Sequence, residues 1–385
     1  MKHDIRKLML FLSILTFAFM MSVDAQKPEN IKETISVMED YLEQASPDWS
    51  IMKKEATVKG IYMTAHTVAD KGRFSKLIDA VDKTELNAVV IDVKNDEGIV
   101  TYSSNISDVK FAGANDKIII KDIKAVINEL NQKGIYPIAR IVTFKDKKAA
   151  GMFANLAVKS RGGSIWRDRN GMAWLNPYNK EAWDYVLKVA EEAAVLGFKE
   201  IQFDYVRFPT DGNLKIIDYG SIAKEKTKEE AIADFLAYAR KRLSGMGAVV
   251  SADVFGLVTT AQDGMSIGQH LESIAVSIDV ICPMVYPSHY GSGVYGVAEP
   301  DFEPYKIVNY SMSVAFERIK NIDYDGKKAK LRPWLQDFTA TYLPRYNKYD
   351  ADDIRAQIQA TYDAGVKEWI LWNASNRYTI GALGE

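Results

Sequence analysis

Residues 181–209 read EAWDYVLKVAEEAAVLGFKEIQFDYVRFP. Apolar residues recur at helical spacing over Glu181–Leu196, and Gly197 stands where a helix ends in a left-handed residue. An apolar run, Glu200–Phe208, follows at once. A helix passing through a glycine into a strand that is apolar on both faces is half of a β–α–β repeat.

The same alternation extends in both directions. Strands are expected at Gly60–His66, Ala88–Lys94, Tyr136–Thr143, Glu200–Phe208, Val249–Gly256, Val280–Tyr286, Leu331–Phe338 and Glu368–Ala374. Amphipathic stretches between them include Arg73–Leu86, Ile120–Lys133, Lys228–Leu243, Pro304–Asn321 and Asp352–Ala364, with Gly134 and Gly365 repeating the glycine stop. The helix before the sixth strand, Ile267–Ser277, is short. Eight such units predict an α/β fold, a (β/α)8 TIM barrel. A doubly wound open sheet would place a glycine-rich phosphate loop after its first strand; here Met63-Thr64-Ala65-His66 follows. Long connections are expected after strands 3 (Phe144–Tyr178), 4 (Pro209–Lys226) and 6 (Pro287–Glu303), all on the rim where this fold builds its sites.

The chain before the barrel divides in two. Lys2, Arg6 and Lys7, the apolar run Leu8–Met21 and the small-residue end Val23-Asp24-Ala25 read as a signal peptide over residues 1–25. The apolar run is short for a bilayer span, so the mature chain is expected to be exported without a stable membrane span, to the periplasm or beyond. Residues 26–58 form a lead-in in which Ile31, Ile35, Met38 and Leu42 keep helical spacing, and the barrel occupies 59–385. Cys282 is the single cysteine, so no internal disulfide can form and stability must come from a large core. A formal net charge of −2 argues against nucleic acid as a partner.

Charged groups at strand ends are the candidates for chemistry, because burying one costs several kcal/mol unless it is paired or serves a site. Asp204 and Arg207 interrupt the fourth strand, and Asp253 stands alone in the fifth, Ser251-Ala252-Asp253-Val254-Phe255-Gly256. The blander readings are an Asp204–Arg207 pair that fixes a loop and a capping role for Asp253. If both acids point into the barrel mouth, they come from neighbouring strands about 4.8 Å apart. A pair of carboxylates so placed suits glycoside hydrolysis, the gap between them separating retaining from inverting chemistry. In the second strand Asp92 and Lys94 would share a face by alternation. Lys94 could form a Schiff base, which opens an aldolase or lyase reading, or serve as a binding cation. Strand ends also offer, as substrate-binding groups, Tyr62, His66, Arg140, Arg207, Tyr286, His289, Trp334, Gln336, Asp337, Trp372 and Asn373. Hydrogen-bonding groups mixed with aromatic faces suit a polyhydroxylated ring, although Trp334 and Trp372 could equally be core. No metal is expected: His66, His270 and His289 show no ligand spacing, and Asp168-Arg169-Asn170-Gly171 reads as a turn rather than a calcium loop. No cofactor motif and no Gly-x-Ser-x-Gly elbow occurs.

The segments KGIYMTAH, VVIDVKNDEG, IARIVTFKD, GFKEIQFDYVRFPTDG and SADVFGL resemble the bacterial "putative glycosyl hydrolase domain" family, grouped with the α-amylase-like barrels. The resemblance spans about residues 58–380 and implies a glycoside-hydrolase-type barrel acting on carbohydrate. By analogy with amylase-like barrels, Asp204 takes the place of the nucleophile on strand 4. Asp253 stands where those enzymes carry a glutamate acid, one methylene shorter, and Asp337 on the seventh strand would be a third acid; Asp92, outside that analogy, is a further candidate. Three functions remain open at this point: hydrolysis with Asp204 and Asp253 as the acid/base pair, a barrel that binds glycans without turnover, and lysine-dependent aldol or lyase chemistry at Lys94.

Overall fold

The structure is a computed structural model that describes residues 57–384. The signal peptide expected at 1–25 and the lead-in helix near Ile31–Leu42 lie outside the described residues.

Eight parallel strands close into a ring: β1 (Lys59–Met63), β2 (Ala88–Lys94), β3 (Tyr136–Val142), β4 (Glu200–Asp204), β5 (Val249–Phe255), β6 (Val280–Met284), β7 (Trp334–Gln336) and β8 (Trp369–Trp372). The seam is closed where Trp334 pairs with Met284 and where Lys330–Leu331 pairs with the start of β6. Helices α1 (Lys71–Asp82), α2 (Ile123–Gln132), α3 (Lys180–Val195), α4 (Lys228–Ser244), α5 (Leu271–Ala275), α6 (Pro304–Lys320) and α7 (Ala351–Asp363) fill the connections. This is the (β/α)8 barrel that the alternation predicts, and α5 is indeed the short one.

Alternation along each strand makes two cores. Val89, Ile91, Ile201, Phe203, Val250 and Ala252 point outward and are buried beneath the helices. Tyr62, Val90, Ile138, Cys282, Trp334 and Ile370 point inward and fill the barrel. Each fully buried aliphatic side chain contributes about 1.5–3 kcal/mol, so such a barrel needs no disulfide. Low in the barrel, Arg332 reaches Glu200 at 2.6 Å and Glu368 at 2.7 Å, tying together β4 and the approaches to β7 and β8.

Two strands, β1 and β4, stop well before the limits that the sequence suggests, for identifiable reasons. Thr64 accepts a hydrogen bond from the Thr67 backbone N–H and caps the one-turn helix Ala65–Ala69, so β1 ends at Met63. Tyr205 takes a left-handed conformation, φ 49°, so β4 ends at Asp204. The connection after β3 folds as an antiparallel ribbon, with Ala157 opposite Leu175 and Arg167 opposite Ala173. Its edge, Lys159–Ser160, pairs with Ile217–Asp218 from the connection after β4. The Asp168 turn sits at the ribbon tip, with Asp168 Oδ1 accepting from the Asn170 and Met172 backbones. The connection after β2, residues 95–122, is a further long one that the sequence did not single out. It folds back on its own strand through the Lys94–Val100 bridge.

Candidate active site

Strands β2, β3, β4 and β5 bring one guanidinium and three carboxyls together. Register places Asp92 opposite Arg140 and Val142 opposite Asp204. Arg140 Nη1 donates to Asp92 Oδ1 at 2.6 Å. Its Nη2 and Nε donate to Asp204 Oδ2 at 2.5 and 3.0 Å. Asp204 Oδ1 accepts from the Tyr205 backbone N–H at 2.6 Å, a bond that the left-handed turn makes possible. The Tyr62 hydroxyl donates to Asp92 Oδ2 at 2.5 Å. Burial opposes the Arg140 cation, but Asp204 and Asp92 outweigh it and hold the guanidinium well above its ordinary value.

Asp253 lives in a different environment. It is 2% exposed, and its Oδ1 accepts from Trp334 Nε1 at 2.7 Å. No cation among the described residues makes an ion pair with it. Burial, and next the nearby Asp204 carboxylate, push its carboxyl well above the usual range, with the Trp334 N–H and Arg140 pulling the other way. One wall therefore holds Asp204 against a guanidinium, and the neighbouring wall holds a carboxyl whose neutral form burial favours.

Both acids line one pocket of about 450 Å³, together with Arg140, Arg207, Tyr286, His289, Trp334 and Trp372. That is the size of a small-molecule site. Trp372 stacks on Tyr62 with ring centroids 4.2 Å apart and meets Trp334 edge-on at 5.5 Å. Burial holds the His289 imidazole below its ordinary value.

Other sequence candidates go elsewhere. Lys94 is fully buried, and its Nζ donates to the Val142 carbonyl at 2.6 Å and pairs with Asp146 at 2.8 Å. A bulge between Asp92 and Lys94 breaks the alternation, so the two do not share a face. A Schiff base at that amine would strand Asp146, which removes the geometric basis for aldolase chemistry. His66 lies exposed on the one-turn helix and is absent from the pocket wall. Asp337 accepts from the backbone and hydroxyl of Thr379 at 2.9 and 2.7 Å and fastens the C-terminal segment, so it is no third acid at the mouth. Gln336 receives the Ser288 N–H at 3.1 Å, and Asn373 donates to the Asp337 and Arg377 carbonyls at 2.5 and 2.7 Å; both brace loops. Arg207 does not pair with Asp204, as the blander reading had it: Arg140 holds that position. Asp92 reaches the site only through Arg140 and Tyr62. Among the described residues no group of three or more His, Cys, Asp or Glu could hold a metal ion, and no helix is long and apolar enough to cross a membrane.

The pocket wall also contains Tyr205, Phe255, Gly256, Leu257, Gln269, Met284 and Tyr290, which the sequence reading did not single out. Gln269 bonds the Phe255 N–H at 3.0 Å and the Asp253 carbonyl at 3.1 Å, clamping the end of β5. A lone glutamine in a polar loop gives no sequence signal of that role. The Tyr- and Gly-rich composition of residues 287–303 was the available hint for Tyr290.

The "Putative glycosyl hydrolase domain" family model matches residues 60–378. The glycoside hydrolase domain of PgaB (BpsB) from Bordetella bronchiseptica superposes with a TM-score of 0.61 at 15% identity, covering 86% of this chain and 99% of that one. An alpha-galactosidase of Thermus thermophilus gives a TM-score of 0.51 at 11% identity over 84% of this chain and 59% of its own. Both are likenesses of fold. A hypothetical protein of Ruminiclostridium thermocellum ATCC 27405 is 42% identical over 50% of this chain and 97% of its own, with a TM-score of 0.46. No curated protein matches the sequence.

Proposed function

Because the chain belongs to the "putative glycosyl hydrolase domain" family, we propose that it hydrolyses O-glycosidic bonds of an oligo- or polysaccharide, with Asp253 as general acid and Asp204 as nucleophile or general base. The observation that carries this reading is the contrast between two acids on neighbouring strands of one pocket. Asp204 faces the Arg140 fork, and Asp253 makes no ion pair among the described residues and is pushed by burial towards its neutral form. Glycoside hydrolysis needs such a difference: one carboxyl protonates the leaving oxygen while the other attacks the anomeric carbon or activates water.

The steps follow from the contacts. With Oδ1 occupied by the Trp334 N–H, the proton of Asp253 belongs on Oδ2. It passes to the glycosidic oxygen as that bond to carbon breaks, and positive charge grows on the ring. Asp204 meets this charge either directly or through a water that it deprotonates. Asp92 and Tyr62 hold the Arg140 fork and through it the carboxylate orientation. Trp372, half-buried on the pocket wall and backed by the stacked Tyr62, offers an aromatic surface for the C–H face of a sugar. The leader expected at residues 1–25 supports action outside the cytoplasm.

The test is a glycan panel digested by the full chain and by Asp204→Asn and Asp253→Asn. Each variant should lose about 10³-fold or more in kcat/KM on a cleaved glycan, as removal of an acid/base group does. Retention of full activity by both would remove them from the reaction.

A further inference from the structure

Arg207 is a buried cation that the proposed hydrolysis leaves unused. It is 8% exposed, lines the pocket, and forms no ion pair among the described residues. Its faces are covered: the guanidinium carbon lies 5.2 Å from the Trp174 ring centroid, 5.0 Å from Tyr205 and 4.9 Å from Phe255. Its edges are half satisfied. Nη1 donates to the Phe208 carbonyl at 3.0 Å and to Thr210 Oγ1 at 3.4 Å. Nε and Nη2 have no acceptor among the described residues, yet they are not among the side-chain atoms sealed from solvent without a partner. They therefore keep contact with solvent, in a residue that lines the pocket.

Aromatic rings stabilise the faces of a guanidinium and leave its in-plane N–H groups wanting acceptors. Burying the cation costs several kcal/mol unless something compensates, and no carboxylate among the described residues pairs with it. Asp204, the carboxylate that most favours its charged form, is spent on Arg140. Two parallel N–H groups at one edge of a rigid plane match the two oxygens of a carboxylate.

We propose that Arg207 forms an anion subsite and that the glycan bound in this pocket carries a negatively charged substituent, a uronic-acid carboxylate in first place. This rests on the carbohydrate reading of the pocket but not on hydrolysis. Trp174 and Tyr205 are then a wall that fixes the plane of the fork. The left-handed Tyr205 serves two sites at once, its N–H holding Asp204 and its ring holding Arg207. The ligand anion would sit beside the acids without meeting Asp204, because Arg140 screens that carboxylate.

The experiment is a binding array of uronic-acid oligosaccharides. Each is presented with its carboxyl-reduced counterpart and with the reduced form carrying a sulfate ester, and the array is probed with the full chain bearing Asp253→Asn to suppress turnover. The expected result is at least about tenfold tighter binding of an acidic member than of its reduced form. Adding Arg207→Gln should bring that ratio close to one, and Arg207→Lys should restore part of it. Preference for the sulfated over the carboxylated partner would identify the ester as the anion source and still support the subsite. Equal binding of acidic and reduced members, no binding to acidic members, or a preference untouched by Arg207→Gln would overturn it. Turnover of neutral glycans by the unmodified chain would then still support hydrolysis. Acid-selective binding without turnover would instead sink hydrolysis and keep the subsite.

Discussion

At the scale of the residue, the site is a matter of which proton sits where. Asp253 works as an acid only while protonated, so activity should fall as pH rises through its folded-state value. Burial and Asp204 set that value well above the ordinary carboxyl range, and the Trp334 N–H is the largest influence pulling it down. Removing that donor takes away a bond that favours the ionised form, so the carboxyl must rise further. Trp334→Phe keeps a ring in the same place and should move the alkaline limb of the kcat/KM profile to higher pH, with a lower plateau from the lost packing. The profile against pH for both proteins is the measurement. A limb that stays put, or moves to lower pH, would take Asp253 out of the acid role.

At the scale of the element, the sequence was legible wherever periodicity decides the structure, and illegible wherever an irregularity does. The strand Ala88–Lys94 lies at the expected limits. Helix α3 runs Lys180–Val195 against an expected Glu181–Leu196, because the helical stripe and Gly197 both mark it. Asp204 and Asp253 could be picked out because a carboxylate in an apolar strand end is conspicuous in sequence. Arg140 was seen only as one binding group among many, since its fork depends on cross-strand register, which no one-strand pattern contains. Lys94 was misplaced because one extra residue in β2 turns it outward, and a bulge has no signature in Asp-Val-Lys. There the bulge makes a structural pair. Lys94 and Asp146 are both fully buried, and Asp146 also caps the helix Lys147–Met152 by accepting from the Ala149 N–H. Lys94→Met should therefore cost about 3–5 kcal/mol, the penalty for leaving one member of a buried pair alone. Denaturant titration gives the number. A loss under 1 kcal/mol would show that the Asp146 loop does not depend on the pair.

At the scale of the molecule, the barrel is fastened at two levels by arginines that reach across strands. Arg140 draws β2 and β4 together at the mouth, and Arg332 draws Glu200 and Glu368 together below. The upper fork can be read as part of the site. The lower one is absent from the wall of the site pocket, and its geometry points to closure: without it two buried carboxylates face each other inside a ring whose seam is carried by the short β7. Arg332→Met, which keeps length and loses charge, should cost about 3–5 kcal/mol and loosen the ring before the helices melt. Cys282 offers a direct reading of that opening. Its thiol is fully buried on the inner face of β6, and burial pushes it well above its ordinary value, so a thiol reagent reaches it only when the barrel parts. In native buffer, labelling of Cys282 should be slow in the unmodified chain and at least a hundredfold faster in Arg332→Met, the factor that a loss of about 3 kcal/mol implies. Far-ultraviolet circular dichroism should be nearly the same for both. Equal labelling rates would mean that the lower arginine contributes nothing to holding the ring closed, and that packing of the two hydrophobic layers does so alone.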